Sequence, residues 1–378
     1  MLSTHVFGEA LKDAGFSFYS GVPCSFLKYL INYAINTCDY VMANNEGDAV
    51  ATCAGAYLGG RKSVFLCQNS GLTNATSPLV SLNYPFRIPV LGIVSLRGEE
   101  GIGDQPQHEL MGRITGQFLT DMEIPWEYLS TDEEEAKAQV LRANEHIENK
   151  QSFFFVVKKN TLDEVKLAPQ NMRTIQCETL VQKSKEDQLP SRWDALHCFN
   201  ELSSNEVALL ATTGYTGREL YELEDQKNQL YMVGSMGCVS ALGLGLALTQ
   251  PQRPVIAIDG DGALLMRMGL MATNAYYHPP NLLHVLLDNS RHESTGGQAT
   301  VSGNIDFVSL AASMQYQKSL YCHDLDELRE QIQQWLKEPV LTFIHLRTGP
   351  GVKKGLGRPK VKPYEVKERF MGFLGTSL

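Results

Sequence analysis

Between Val255 and Gln298 two apolar runs each end in an oxygen-bearing side chain, and few folds accommodate that arrangement. Val255-Ile256-Ala257-Ile258 is apolar and mostly β-branched, the composition of a buried parallel strand. Asp259-Gly260-Asp261-Gly262 is too glycine-rich to prolong it. Ala263 to Tyr277 is rich in helix formers, and a second apolar run, Leu282 to Leu287, ends in Asp288-Asn289. In a right-handed βαβ unit both strand ends fall on one edge of the sheet, where α/β folds hold ligands. Asp261 and Asn289 then converge on one hard cation. An Asp, an Asn, a backbone carbonyl and phosphate oxygens compose an octahedral Mg²⁺ shell. A lone Gly-Asp-Gly also reads as a turn; spacing, strand context and the terminal Asn point beyond that.

The chain has 378 residues, a length that suggests two or three domains. At 43% hydrophobic and 20% charged residues it has the composition of a soluble protein. No apolar run approaches the ~20 residues of a membrane span, and the first residues, MLSTHVFGEALKDAGF, lack a signal-peptide core. The eight cysteines contain no C-x-x-C pair, so neither a zinc site nor a disulfide scaffold is expected and a reducing cytoplasm fits. A net charge of −9 argues against a nucleic-acid partner. An anionic substrate would need locally placed cations.

From the N-terminus the text predicts a helix over Thr4–Ala14 and a strand over Phe16–Ser20. The turn Gly21-Val22-Pro23-Cys24-Ser25 then leads into a second helix. Such a turn suits an anion, with Ser25 and Lys28 facing it; an N-cap serine and a solvated lysine are the plainer reading. A strand at Tyr40–Met42 ends in Ala43-Asn44-Asn45-Glu46, before a small-residue helix. Glu46 complements the dipole of that helix or does chemistry. Strands at Ser63–Cys67 and Val90–Ser95 follow, the second leading into a long polar loop that offers Arg97, Gln107 and His108. A helix over Thr131–Glu148 and a strand over Phe153–Lys158 close a first domain, 1–162. Residues 163–190 are polar and aperiodic and read as a linker. The second domain, 191–378, repeats the strand–helix alternation and ends in a basic tail containing Arg358. The fold class is α/β: two doubly wound parallel sheets.

Gly-Asp-Gly followed at this spacing by Asn resembles the diphosphate-anchoring motif of thiamine diphosphate enzymes, although Asp288 stands where many members carry a first Asn. The resemblance implies Mg²⁺ held by Asp261, Asn289 and the carbonyl of Arg291, and a diphosphate against Gly260, Gly262 and Ala263. It sets Glu46 against N1′ of the aminopyrimidine. Gly234 offers its carbonyl to the 4′-amino group, with Ser235 beside it, and Met236 wedges between the rings; core filling is the commoner fate of Met. Ser290 to Gln298, containing His292, is the expected lid over the diphosphate. QNSGLTN resembles the segment that follows the third strand of the pyrimidine domain in these enzymes.

A pyrimidine-type domain followed directly by a diphosphate-type domain, with no central third domain, is similar to the phosphonopyruvate and sulfopyruvate decarboxylases. SGVPCS, ANNEGDA, RGEEGIGDQPQH, HESTGGQ and LGRP agree with that group. The resemblance implies thiamine diphosphate- and Mg²⁺-dependent decarboxylation of phosphonopyruvate, or alternatively of sulfopyruvate, or another thiamine diphosphate reaction such as carboligation. Glu46, His108 and His292 are the expected catalytic residues. Ser25, Lys28, Arg97, Gln107, His108 and Arg358 are the expected substrate residues. A homodimer or higher homo-oligomer is implied, because the cofactor lies between a pyrimidine domain of one subunit and a diphosphate domain of another. A non-catalytic partner subunit is the rival outside enzymes, and the presence of both half-sites in one chain argues against it. A nicotinamide enzyme is disfavoured, since no strand–GxGxxG–helix fingerprint is present.

Overall fold

A computed structural model of the chain describes residues 1–170, 189–202 and 206–378. The chain divides into two compact units, with the boundary between Met172 and Arg173. The first holds strands β1 (Phe16–Gly21), β2 (Asp39–Met42), β3 (Lys62–Gln68), β4 (Leu91–Ser95), β5 (Trp126–Tyr128) and β6 (Phe153–Val157). All pairings are parallel, in the order β2-β1-β3-β4-β6-β5. The chain leaves β1 outward to β2 and returns on the other side to β3, so the strand order reverses between β1 and β3. Such a reversal opens a crevice at the carboxyl ends of the strands.

Strand period 2 accounts for the two-sided core. Val64, Leu66, Phe153 and Phe155 join one buried apolar cluster, while their neighbours Phe65, Cys67, Phe154 and Val156 join the other. The helix Glu46–Leu58 starts where Asn45 accepts a hydrogen bond from Gly47 N at 2.8 Å. Its residues from Gly47 to Leu58 are all buried, which its Ala- and Gly-rich text makes sterically feasible.

The second unit holds β7 (Ala208–Ala211), β8 (Gln229–Tyr231), β9 (Val255–Gly260), β10 (Leu282–Asp288), a two-residue hairpin of β11 (Arg291–His292) and β12 (Gln298–Ala299), β13 (Lys318–Cys322) and β14 (Thr342–Arg347). Its main sheet runs β8-β7-β9-β10-β14-β13, all parallel. With β13 and β14 matched to β5 and β6, this is the order of the first sheet, and the reversal falls between β7 and β9.

Several expectations shift. Asp259 and Gly260 remain in β9, because β10 pairs with them at Leu286 and Leu287 and supplies the ladder that glycine does not preclude. The single helix expected over Ala263–Tyr277 is two, Asp261–Met266 and Leu270–Tyr277, interrupted at Arg267–Gly269, where glycine is a poor helix former. The helix Glu109–Asp121, the three-residue β5, the helix Phe307–Ser313, β13 and the helix Pro363–Leu374 were not anticipated. A three-residue strand is too short to display alternation. The last helix did carry its signals, Pro363 at its start and Gly375 at φ 72° past its end. Most of the expected linker lies outside the described residues. Its first part is stitched to the first unit: Thr4 N donates to Asp163 Oδ1 at 2.7 Å and Asn32 Nδ2 to the Val165 carbonyl at 2.8 Å. No described helix is long and apolar enough to cross a membrane.

Candidate active site

In the first unit the polar residues gather at the carboxyl edge of the sheet. Glu46 is half-buried at the first turn of the helix that follows β2. Asn74 Nδ2 donates to Glu46 Oε2 at 2.8 Å, and a Cβ at Gly71 would stand 2.2 Å from Glu46 Oε1. Only a glycine at 71 lets the carboxylate occupy this place. Buried Asn69, directly after β3, donates to the Arg97 carbonyl at 2.8 Å and fixes where the long loop after β4 departs. Arg97 is not a free cation. Its Nε and Nη2 donate to the two oxygens of Asp104 at 2.7 and 2.5 Å, its Nη1 donates to Ser25 Oγ at 3.1 Å, and its guanidinium lies 4.7 Å from the Phe26 ring centre. The Arg97 hydrogen bonds hold the Asp104 carboxyl well below the usual carboxylate range, aided by the Gln105 and Gly98 N–H groups against the opposing effect of burial. At the loop's end His108 is buried, and its Nδ1 has no hydrogen-bond partner. Gln107, Ser25 and Lys28 are exposed.

In the second unit Asp261 follows β9 directly and Asn289 follows β10, so the two stand on adjacent strands. Asp261 is buried and accepts a short hydrogen bond from Thr300 Oγ1. Thr300 Oγ1 lies 3.0 Å from Ser302 Oγ, which donates to Asp288 Oδ1 at 3.0 Å, while His345 Nε2 sits 3.2 Å from Asp288 Oδ2. Burial raises the Asp261 carboxyl above its ordinary value; the Asp288 charge adds to this and the Thr300 bond opposes it. Burial would raise Asp288 too, but the bond and charge of His345, with Ser290 N and Ser302, leave it lowered. Asn289 Oδ1 accepts from Arg291 N at 3.1 Å, turning the chain immediately after the strand. Ser290, at φ 55°, takes the left-handed conformation there, and so does Ser235, at φ 54°, beside Gly234 and Met236. Such backbone concentrates at functional sites. Met236 is half-buried rather than core. A Cβ at Gly262 would lie 2.3 Å from His292 Cε1, so the expected lid rests directly on the Gly-Asp-Gly segment. Arg358 is exposed.

These residues suit a magnesium–diphosphate group. A buried carboxylate with a raised pKa beside a second carboxylate lacks positive charge that a cation would supply. At the strand-order reversal the buried Thr212 hydroxyl has no partner, beside Gly260. Among the described residues no three His, Cys, Asp or Glu side chains gather as a metal cluster. One carboxylate, one amide and one carbonyl match a metal that takes its remaining oxygens from phosphate and water.

Residues 1–117 match the family model for the thiamine pyrophosphate enzyme N-terminal TPP-binding domain, and residues 213–346 that for the C-terminal TPP-binding domain. A phosphonopyruvate decarboxylase from Streptomyces viridochromogenes is 41% identical over 374 residues, covering 97% of this chain and 93% of its own. The chain belongs to the phosphonopyruvate decarboxylase family of thiamine diphosphate enzymes. A second family member, phosphonopyruvate decarboxylase from Streptomyces hygroscopicus, is 38% identical over 379 residues, covering 99% of this chain and 94% of its own. The solved benzoylformate decarboxylase from Polynucleobacter necessarius shares the fold, with a TM-score of 0.74 at 13% identity over 93% of this chain and 100% of that one.

As a thiamine diphosphate-dependent decarboxylase, the chain carries functional candidates to which its text assigned no role, although Gly71, Asn74 and Asp104 lie in segments that resemble the family. Asn74 and Gly71 shape Glu46, Asp104 engages Arg97, and Thr212, Thr300, Ser302 and His345 surround the acidic edge. Asn74 and Thr212 stood at visible positions, in the loop after one strand and at the end of another. Thr300, Ser302 and His345 reach the edge only through tertiary packing.

Proposed function

We propose that this decarboxylase converts phosphonopyruvate to phosphonoacetaldehyde and CO₂, with thiamine diphosphate held through Mg²⁺. The observation that carries this reading is the near-full-length similarity to two phosphonopyruvate decarboxylases. Segment 1–162 serves as the pyrimidine-binding domain, 163–190 as the linker and 191–378 as the diphosphate-binding domain. The chain works in the cytoplasm as a homodimer or higher homo-oligomer.

Asp261, Asn289 and the Arg291 carbonyl hold Mg²⁺, and Ser235, Gly260, Gly262 and Ala263 contact the cofactor around its diphosphate. When bound, the cofactor supplies the nucleophilic carbon and the electron sink for decarboxylation. Glu46 hydrogen-bonds the pyrimidine N1′, and Asn74 holds its other oxygen so that the carboxylate keeps one orientation. Gly234 would offer its carbonyl to the cofactor's amino group, and Met236 would pack against its rings. His108 holds the proton to be delivered at the substrate carbon, supported by its buried, unpartnered Nδ1. His292, against Gly262, is the second candidate for that transfer. Ser25, Lys28, Gln107 and Arg358 meet the substrate. Arg97, already bonded to Asp104 and Ser25, keeps one unused N–H on each Nη rather than a free dianion clamp.

The test is CO₂ release from phosphonopyruvate, sulfopyruvate and pyruvate by the protein loaded with thiamine diphosphate and Mg²⁺. Phosphonopyruvate is expected to have the highest kcat/KM. A higher value for sulfopyruvate would move the reading to that substrate, and no turnover of any of the three would remove it.

A further inference from the structure

Arg192, the first residue of the helix Arg192–Leu202, is buried, yet it belongs to no element of the site described so far. Its Nε and Nη2 donate to Glu219 Oε2 and Oε1 at 2.8 and 3.2 Å, and its Nη1 donates to Glu293 Oε2 at 2.8 Å. The three side chains are 7%, 1% and 10% exposed, so this is an interior triad and not a surface pair. Buried ion pairs survive only when every charge is compensated, and here the compensation comes from one strip of chain. Gly351 N donates to Glu293 Oε1, Lys353 N to Glu219 Oε1 at 3.2 Å, and Arg192 Nη2 to the Gly351 carbonyl at 3.4 Å. Further along, Arg218 Nε donates to the Gly357 carbonyl at 2.9 Å and Nη2 to that of Leu356 at 3.1 Å. The segment expected to be a basic tail is therefore strapped to the second unit on both sides of Arg358, since Lys360 N also donates to Tyr221 Oη at 3.4 Å.

Glu293 is the partner that matters for chemistry. It follows His292, which rests on Gly262, and opens the short turn Glu293–Thr295 of the expected lid. Arg291, whose carbonyl is a candidate metal ligand, is two residues away. Loop 290–298 has no apolar side chain to bury, so the fixed carboxylate at 293 ties it to the interior where packing does not.

We propose that Arg192 is a positioning residue: through Glu293 it sets loop 290–298 over the Gly-Asp-Gly segment and joins that loop to strap 349–358. The proposal rests on the reading that Asp261 and Asn289 anchor the cofactor. An arginine suits the role because its planar fork serves two carboxylates at once, which a lysine's point charge does not.

The test uses the full chain with Glu293→Ala, which cuts the tether and leaves Arg192 paired to Glu219, alongside Arg192→Lys and the double variant. Equilibrium dialysis with thiamine diphosphate and Mg²⁺ reads affinity, hydrogen exchange reads loop 290–298, and kcat at saturating cofactor is read separately. Glu293→Ala is expected to weaken cofactor binding about 10- to 100-fold, the usual consequence of removing an outer-shell partner, and to speed exchange in the loop. The saturated kcat should move much less, and the double variant should bind no more weakly than Glu293→Ala alone. A variant that only lowers the melting temperature, with affinity and loop exchange unchanged, overturns the proposal, as do additive losses in the double variant. Asp261→Asn separates the two readings: if it binds cofactor normally, the anchoring reading has failed, whereas if it does not bind while Glu293→Ala does so normally, the positioning role has failed. Should Arg192→Lys not fold, Glu293→Ala decides alone.

Discussion

Glu46 occupies its place because of two neighbours that do no chemistry. Asn74 holds one oxygen at 2.8 Å, and the missing Cβ of Gly71 makes room for the other, which a methyl group would meet at 2.2 Å. The carboxylate is thus oriented before any cofactor arrives, which is where electrostatic catalysis gains most. Replacing Glu46 by Gln keeps the shape and removes the charge. Turnover is expected to fall roughly 10²–10⁴-fold, the range for a positioned acid–base group, with the melting temperature and diphosphate binding little changed. Gly71→Ala should mimic much of that loss with Glu46 still present, because the carboxylate must move. Steady-state kinetics and thermal denaturation of both variants check this, and near-normal turnover in Glu46→Gln would remove Glu46 from its role.

At the scale of elements, the loop between β4 and the helix Glu109–Asp121 is closed by one clip. Arg97 at its start grips Asp104 near its end, and Gln107 and His108 lie three and four residues further on. Asp104 also accepts from the Gly98 and Gln105 N–H groups at 2.9 and 2.8 Å, so it organises the loop backbone as well as the guanidinium. Its folded-state pKa is depressed, so the stability it contributes is present above the unfolded carboxylate value of about 3.9 and lost as the pH falls through the folded value. Asp104→Asn is therefore expected to melt a few degrees below the parent near neutral pH. That gap should narrow in acid below the ordinary carboxylate range; a gap that persists unchanged there would show that the charge is not what stabilises the loop. At the other end of the chain the helix Pro363–Leu374 performs an edge function. Arg369 pairs with Asp225 at 2.6 Å and reaches the Gln229 carbonyl, while Val366, Phe370, Met371 and Leu374 are buried, so edge strand β8 is covered.

The whole molecule consists of two units with one strand order, and the proposed chemistry divides between them: Glu46 lies in the first, Asp261 and Asn289 in the second. If the cofactor is shared between a first unit of one subunit and a second unit of another, two inactive variants complement each other. Glu46→Gln and Asp261→Asn, each inactive alone, are expected to recover about a quarter of parental activity after equimolar unfolding and refolding together. Random pairing places them in the same dimer half the time, and one of that dimer's two sites is then intact. No recovery, with mixed dimers demonstrated by mass spectrometry, would assign both halves of the site to a single chain.

The text alone determined the family, the two-sheet plan and the residues at the strand ends. These depend on local rules: apolar runs make strands, glycines mark where they end, and an acidic or amide residue just past a strand must face the ligand edge. It did not determine which of those residues are free. Arg97 reads as an available cation until Asp104, seven residues on, folds back onto it. Glu293 reads as one more polar lid residue until Arg192, a hundred and one positions earlier, reaches it. Strand ends are set by neighbours in the chain, whereas the pairing of charges is set by whatever packing brings within hydrogen-bond distance, and only the tertiary structure decides that.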